Sequence, residues 1–308
     1  MEYHLQTNIE LIVGMIHYVK RKDLDLNKYD ACINNAINSR IYGYSWYLDI
    51  VADNWDVLVL NDYEALMPLP WRQKYFIKYI YPPVWTQQLG VFSNFKIDAD
   101  LVKQFVNSIP KKFKKITIQF NSQNDVSLLK TEKRMNYILP LNKSYEEICN
   151  GFNKNRKRVL KKADTGKYII GKEISANEFL NFYLNEPKNY QLRQEQLTTI
   201  NTLLKANNKA VHIWGIRIDK KLISSLVWLK ETNRITYLLP IATMQAKENG
   251  LSTLLILNLI KEHQNSKLML DFEGSMIEGV ADFYRSFGVE EEVYFYFIKK
   301  INYFRKSS

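Results

Sequence analysis

The chain has 308 residues, of which 46% are hydrophobic and 24% charged. This composition is typical of a soluble globular protein of about two domains and excludes intrinsic disorder as the main state. Two cysteines, Cys32 and Cys149, are too few and too distant for a disulfide-stapled fold or a cysteine-rich zinc site, which favours a reducing compartment. The longest apolar run, LSTLLILNLI, is far shorter than the roughly 20 residues that span a membrane. The N-terminal sequence MEYHLQTNIELIVG lacks the cationic stretch and apolar core of a signal peptide. We therefore expect a cytoplasmic protein without a membrane span.

The charge is unevenly distributed along the sequence. The formal net charge is +11 at pH 7, with +2 in residues 1–150 and +9 in residues 151–308. An excess of this kind indicates an anionic partner such as nucleic acid, a lipid headgroup or a phosphate-bearing small molecule. Six basic residues fall in the segment NKNRKRVLKK, which contains no acid: Lys154, Arg156, Lys157, Arg158, Lys161 and Lys162.

The first half of the chain predicts a β meander, a helix and a further strand. β-branched and aromatic residues between short polar turns indicate β segments at 56–62, 64–72 and 78–93. Apolar residues at helical spacing then predict a helix over 101–109, and strand-like alternation returns at 114–121.

A helix with a clear start signal follows the first half. Ser144 is placed to cap the helix, and Glu147 is placed to complete a capping box. Gly166 provides a natural C-terminal stop, while Gly151 allows a break into two shorter helices. The buried stripe is expected to comprise Tyr145, Ile148, Phe152, Val159 and Ala163. The domain boundary is predicted just before this helix, giving domains 1–143 and 144–308.

The second half repeats the element order of the first. Strands are predicted at 211–219, 221–231 and 234–242, a helix at 251–262 and a strand at 266–273. Similar element order arises by chance in α/β domains, but the turns, the prolines and the Gln and Gly that follow them also match. We therefore interpret the chain as a tandem duplication in which 54–121 and 211–273 form the same unit.

Several common catalytic motifs are absent. There is no P-loop, no GxGxxG and no GxSxG, and the four histidines show no paired metal-ligand spacing. These absences disfavour ATP-type phosphoryl transfer, dinucleotide redox chemistry and zinc hydrolysis. A Cys–His nucleophile pair remains open, although both cysteines occur in apolar segments typical of buried cysteine.

The segment TMQAKENGLS links a predicted strand to a predicted helix that begins near Leu251. Such a loop presents backbone N–H groups at the positive end of the helix dipole, where phosphate oxygens bind. The spacing of Lys247, Gly250 and Ser252 resembles the Q/R-x-x-G-x-G/A pyrophosphate loop of the GNAT acyltransferase superfamily, with Ser252 in place of the last small residue. An ordinary polar loop is the alternative.

The segment ADFYRSFGV, before the strand VYFYFIKK, resembles the closing segment of the same superfamily. In such enzymes a tyrosine at the position of Tyr284 often protonates the departing coenzyme A thiolate. The alternative is that Phe283, Tyr284 and Phe287 belong to the core of a short amphipathic helix.

The duplicated halves and the basic helix together resemble the Fem-type branch of the superfamily, which includes peptidoglycan aminoacyl transferases and carries two GNAT-like domains in tandem. The resemblance implies an α/β fold with a mixed, mostly antiparallel sheet flanked by helices. It also implies that 1–143 is a degenerate copy serving the substrate side, and that 144–308 holds the acyl-donor site.

The resemblance implies transfer of an acyl group from a coenzyme A thioester to an amine by direct attack, with no metal. The donor's pantetheine would lie beside the strand that contains Leu239 and Ile241, and its pyrophosphate would bind Lys247, Gly250, Leu251 and Ser252. Two alternatives stay open. One is an aminoacyl-tRNA-dependent transferase acting on a cell-wall precursor, and the other is a non-catalytic protein that binds nucleic acid or anionic lipid.

Candidate bases are Glu273 and Asp271, which follow a predicted strand and point to the same face. Either residue is equally suited to cap the next helix or to pair with Arg285. The candidates for substrate binding are basic residues of the segment NKNRKRVLKK and two aromatic residues of IYGYSWYLD. The alternative for the basic residues is a solvated helix face. The alternative for the aromatic residues is a place in the structural core. These substrate candidates are Arg156, Arg158, Lys162, Tyr44 and Trp46.

Overall fold

The computed structural model describes residues 14–163, 167–188, 190–206, 208–274 and 277–300. The first half builds a meander whose third strand lies parallel to the strand that follows the helix. Its elements are β1 (Ile16–Lys20), α1 (Leu26–Asn35), α2 (Ser45–Val51), β2 (Trp55–Leu60), β3 (Ala65–Lys74), β4 (Ile77–Ile80), β5 (Phe92–Ser93), α3 (Ala99–Asn107), β6 (Phe113–Phe120) and β7 (Thr131–Pro140).

The second half opens with helices and then repeats this meander. The structure places β9, β10, β11 and β12 in the same order as β2, β3, β4 and β6, which confirms the predicted duplication. Its elements are α4 (Tyr145–Asn150), α5 (Lys154–Ala163), β8 (Ile170–Gly171), α6 (Ala176–Asn185), α7 (Gln194–Lys205), β9 (Val211–Ile218), β10 (Lys221–Lys230), β11 (Arg234–Ala242), α8 (Met244–Glu248), α9 (Leu251–His263), β12 (Met269–Asp271), α10 (Glu278–Arg285) and β13 (Glu290–Lys300).

Two predicted elements differ in extent from the structure. The third β segment of the first half is interrupted: it is a strand over Ile77–Ile80 and again over Phe92–Ser93. Pro82 and Pro83 lack the N–H groups that would continue the first ladder. The helix after residue 144 has the predicted capping box but is divided into α4 and α5 at Gly151. Its predicted end at Gly166 lies outside the described residues.

The two halves exchange their last strands. The sheet runs in the order β6-β13-β7-β12 at its centre, so β13 of the second half pairs with β6 of the first. In return, β7 of the first half pairs with β12 of the second, and β7 and β13 pair antiparallel with each other. The sequence boundary at 143/144 therefore does not coincide with a boundary in the sheet.

One of the three apolar cores is built by both halves. The helices of the first half contribute the fully buried Tyr29 and Tyr47, and the second half contributes Phe179, Ile200 and Leu239 to the same cluster. The other two cores lie within one half each, apart from the exchanged strands. The halves are thus joined by apolar packing as well as by backbone hydrogen bonds.

The exchange predicts that neither half folds alone. In a fragment 14–143, β6 lacks the β13 partner and β7 lacks both neighbours, which leaves unpaired backbone groups and exposes the shared core. We expect each separate fragment to show no cooperative urea unfolding transition by circular dichroism. The two fragments expressed together should associate and regain a single transition, whereas cooperative unfolding of either fragment alone would contradict this account.

Candidate functional site

The candidate site lies where two parallel strands of the second half diverge. β11 and β12 pair only between residues 234–236 and 269–271. Past Thr236, β11 continues to Ala242, while the chain leaves β12 and turns at Phe272. The carboxyl ends of parallel strands are where α/β folds place ligands, and the divergence opens the sheet there.

Tyr284 of α10 reaches into this opening from one side. Its ring packs against Phe272 at 5.0 Å between centroids and against Tyr237 and Tyr137 at 6.2 Å. Burial raises the pKa of the Tyr284 phenol well above its usual range, and the charges of Glu273 and Asp271 raise it further. The hydroxyl is therefore protonated at neutral pH, as a proton donor must be.

Glu273 faces the opening from the end of β12 and is held by contacts from both halves. Its backbone N–H donates to Asp271 Oδ1 at 2.9 Å, and its carboxylate accepts a hydrogen bond from the hydroxyl of Tyr42. Burial and the charge of Asp271 raise the pKa of Glu273 to about 8, although the Tyr42 hydrogen bond acts in the opposite direction. Its φ of 51° lies in the left-handed region, a strained conformation that is often found at functional sites.

Gly274 allows this turn to lie against β7. A Cβ at Gly274 would come within 1.9 Å of the carbonyl oxygen of Met135. The Gly274 N–H also donates to Asn136 Oδ1 at 2.7 Å. Because only glycine permits this approach, the position of Glu273 is fixed by the exchanged strand.

Asp271, the second predicted base, is buried beside an arginine. It is 1% exposed and forms an ion pair with Arg234 at 2.7 Å. It also accepts hydrogen bonds from Asn136 and from the Glu273 backbone. Both carboxylate oxygens of Asp271 therefore have partners in the structure, and Oδ1 accepts the N–H of Glu273.

Asp271 belongs to a buried charge cluster, formed with Arg234, Glu292 and Arg40. Glu292 on β13 accepts hydrogen bonds from Arg234 and Asn136, and Arg40 approaches it to 3.5 Å. Burial disfavours the charged form of Glu292, but Arg234 and Arg40 outweigh it and lower the pKa to about 2. Glu292 thus remains ionised at neutral pH, and the cluster joins β11, β12 and β13 to the first half.

The Gly250–Leu251 part of the predicted pyrophosphate loop is buried in the structure. Residues 244–248 form the short helix α8, and Gly250 with φ 72° leads into α9. A Cβ at Gly250 would meet Val159 of α5 at 2.6 Å, and Leu251 is fully buried. Helix α5 therefore lies over the N-terminus of α9, where the sequence predicts a coenzyme A diphosphate.

The other predicted donor-site residues lie in different environments, some in the core and some at the surface. Leu239 and Ile241 of β11 pack into the core shared by both halves. Ser252 is partly exposed, and Lys247 is exposed on α8. These residues do not form one open surface.

Arg156 is part of the interior, although it was expected on an exposed basic face. It is 6% exposed, donates to Ser286 Oγ at 2.9 Å and to Thr253, and stacks on Phe283 and Phe287 at 4.5 Å. Its role is to bind α5 to α9 and α10. Five cations remain exposed on α5: Lys154, Lys157, Arg158, Lys161 and Lys162.

The aromatic segment IYGYSWYLD supplies a residue that sequence reasoning did not select. Tyr44 and Trp46 are partly exposed beside α2, and the Tyr44 hydroxyl donates to Asn34 at 3.2 Å. Tyr42 is instead buried at 1% exposure and donates to Glu273. Nothing in the segment distinguishes Tyr42 from its neighbours, since its partner is 231 residues away along the chain.

Neither a reactive thiol nor a metal cluster is part of the described site. Burial raises the pKa of the Cys32 thiol to about 12, so it is not a thiolate at neutral pH. The described residues do not bring together three His, Cys, Asp or Glu side chains that would hold a metal ion. In the same part of the chain, none of the helices has the length and apolar character needed to cross a bilayer.

Solved structures share this arrangement at low sequence identity. FemX aligns with a TM-score of 0.64 and 9% identity, covering 88% of this chain and 96% of its own. L-PGS from Bacillus licheniformis aligns with a TM-score of 0.53 and 12% identity, covering 90% and 92%. A tandem GNAT protein from the clavulanic acid biosynthesis pathway gives 0.51 and 10%, covering 94% and 99%.

The chain has the tandem GNAT-like fold. This confirms the predicted fold class and the Fem-type resemblance at the level of fold. No family model and no curated protein matches the sequence. In this fold Glu273 and Tyr284 both lie beside the strands that diverge in the second half.

The buried charge cluster predicts a large and specific stability effect. Glu292→Gln leaves Arg234 and Arg40 without a full counter-charge, so the free energy of unfolding at pH 7 should fall by about 3–5 kcal/mol. Because the pKa of Glu292 is lowered to about 2, this difference should shrink as pH falls from 4.5 towards 2.

Urea unfolding at several pH values measures this effect. The matched control is Glu291→Gln, an exposed glutamate one residue away on the same strand, which should change stability by less than about 0.5 kcal/mol. Equal effects of the two substitutions would show that the cluster does not contribute as described.

Proposed function

We propose that this chain transfers an acyl group from a polyanionic donor to an amine, with Glu273 as general base and Tyr284 as general acid. The observation that supports it best is that both groups lie where β11 and β12 diverge, near enough for the charge of Glu273 to raise the pKa of Tyr284. A carboxyl group with a pKa of about 8 and a protonated phenol are matched to removing one proton and supplying another at neutral pH.

The two side chains supply the proton transfers of a direct displacement. Glu273 takes a proton from the acceptor ammonium, and the free amine attacks the donor carbonyl to form a C–N bond. N–H groups of β11 past Thr236, where pairing with β12 has ended, are placed to stabilise the oxyanion. The bond to the leaving oxygen then breaks as Tyr284 gives that oxygen its proton. The nitrogen, now part of the new amide, passes its second proton to the Tyr284 phenolate, and Glu273 releases the first proton to solvent.

The donor that fits best is an aminoacyl-tRNA rather than an acyl-CoA. Five exposed cations on α5 form a surface suited to a phosphate backbone, whereas Gly250, in the loop expected to bind the coenzyme A diphosphate, is covered by α5 itself. The leaving group of an aminoacyl ester is a ribose alkoxide. An alkoxide depends more than a thiolate on receiving a proton from an acid such as Tyr284.

The catalytic proposal predicts two separable activity losses. Glu273→Gln and Tyr284→Phe should each lower the single-turnover rate by roughly 10²–10⁴-fold without preventing folding. In the unmodified protein the rate should rise with pH through about 8, because Glu273 must be deprotonated to act, and Glu273→Gln should lack this rise.

The assay measures transfer of radiolabelled amino acids from a mixed pool of charged tRNA to a panel of small amines, with acetyl-CoA as the competing donor. The matched control is Tyr183→Phe, a buried tyrosine in α6, which should keep normal turnover. Normal turnover of Tyr284→Phe would remove this residue from the mechanism, and transfer from acetyl-CoA alone would overturn the choice of donor.

The donor proposal predicts salt-dependent binding of tRNA through α5. Replacing Lys157, Arg158 and Lys161 by Gln should weaken tRNA binding and reduce the slope of log K against log salt by about one for each lost phosphate contact. Filter binding over a range of salt concentrations measures both quantities. Lys103→Gln, an exposed lysine on α3, is the control. An unchanged slope, or stabilisation by coenzyme A in a thermal shift assay, would contradict the proposal.

A further inference from the structure

The hairpin that joins β3 and β4 has two aromatic residues at its turn. Tyr75 and Phe76 both have positive φ angles, 47° and 64°, as a type I′ turn requires. They are 82% and 96% exposed, and the neighbouring Ile77 is 52% exposed. The chain therefore presents three apolar side chains at the apex of a hairpin.

Tyr and Phe are unfavourable residues for the backbone conformation of this turn. Type I′ turns favour Asn-Gly or Asp-Gly, and bulky residues are rare at positive φ because their side chains crowd the backbone. The β9–β10 hairpin of this chain has a turn with two positive φ angles too, but the residues there are the polar Asp219 and Lys220. The strain and the exposure of Tyr75 and Phe76 together indicate that these residues serve an interaction with a partner rather than the stability of the fold.

Lysines surround this apex. The segments 74–78, 111–115 and 298–300 contain eight lysines and no acidic residue. β6 begins beside β4, since Phe113 pairs with Lys78, and β13 ends beside β6, since Lys300 pairs with Lys115. The three segments therefore lie together at one end of the neighbouring strands β4, β6 and β13, the end at which the β3–β4 hairpin turns.

Some of these lysines are held by aromatic rings, and others are exposed. The ammonium of Lys78 lies 4.3 Å from the Trp71 ring, and that of Lys112 lies 4.3 Å from the Tyr18 ring. Burial lowers the pKa of Lys112, and the charges of Lys78 and Lys20 act in the same direction, while Asp56 opposes them. Lys111 and Lys300 are exposed at the same edge.

We propose that this lysine-ringed apex, residues 74–78 with 111–115 and 298–300, docks on the surface of an anionic lipid bilayer. Aromatic and aliphatic side chains insert at the boundary between headgroups and acyl chains, while lysines behind them are attracted to anionic headgroups. The apex projects its apolar side chains outward from a hairpin turn, which fits insertion into a surface. The site is separate from α5, which packs on α9 and α10 of the second half.

The test is co-sedimentation of the full chain with vesicles of phosphatidylcholine alone or of phosphatidylcholine with phosphatidylglycerol. We expect binding only to the anionic vesicles, decreasing with added salt. The double variant Tyr75→Asn, Phe76→Gly should bind at least about ten-fold more weakly, since it removes the inserting rings. Its melting temperature should stay the same or rise, because Asn-Gly suits the turn.

Charge variants complete the design. Lys111→Gln with Lys300→Gln should weaken vesicle binding, whereas Lys157→Gln with Lys161→Gln on α5 should leave it unchanged. Since no acyl transfer is needed for binding, failure of this proposal and failure of the proposed function are distinguishable.

Three results would overturn the proposal. The first is vesicle binding that the apex variant does not weaken, or equal binding to neutral vesicles. The second is loss of tRNA retention in the apex variant without loss of vesicle binding, which would assign the apex to RNA. The third is self-association of the chain that depends on the apex, without vesicle binding, which would identify a second copy as the partner.

Discussion

The ion pairs that Arg234 makes with Asp271 and Glu292 fix the registers on which the rest of the structure depends. Arg234 is on β11, Asp271 on β12 and Glu292 on β13, and the Nη1 atom of Arg234 lies 2.7 Å from Asp271 and 3.0 Å from Glu292. Burying these charges costs free energy that only well-placed partners offset. A shift of β13 by one residue would turn Glu292 to the other face of the sheet and leave Arg234 with Asp271 as its one acidic partner among these strands. The cluster therefore specifies the strand exchange as well as contributing to it.

The surroundings of Glu273, the base in the proposed reaction, follow from the same arrangement. Asp271, held by Arg234, accepts the N–H of Glu273, and Asn136 of the exchanged β7 accepts the N–H of Gly274. The Tyr42 hydroxyl then reaches Glu273 from the first half. One carboxylate of the segment LDFEG is thus neutralised by an arginine, while the other, two residues later, has its pKa raised by burial. Two acids of similar sequence context acquire different roles because only one has a buried cation beside it.

Much of the fold and part of the site could be predicted from the sequence. Strand periodicity and matched turns depend on local chemistry, so they predicted the repeated order of elements in the two halves. The Ser144–Glu147 capping box predicted the start of α4 for the same reason. The exchange of β7 and β13 could not be predicted, because an alternating strand has the same pattern whichever strand it pairs with. The burial of Arg156 contradicts the usual interpretation of a charged helix, and it depends on Phe283, Phe287 and Ser286, which lie far along the sequence. The cover over Gly250 and the contact of Tyr42 with Glu273 likewise come from tertiary packing.

Native-state hydrogen exchange tests most directly whether the halves form one unit through their exchanged strands. If β7 and β13 join the halves, amides of β6, β7, β12 and β13 should exchange only through global unfolding. Amides in β2 and in β10, one central strand from each half, should then show the same free energy of opening, equal to that from urea unfolding. Opening of one half at a clearly lower free energy, with the other half still protected, would contradict the account.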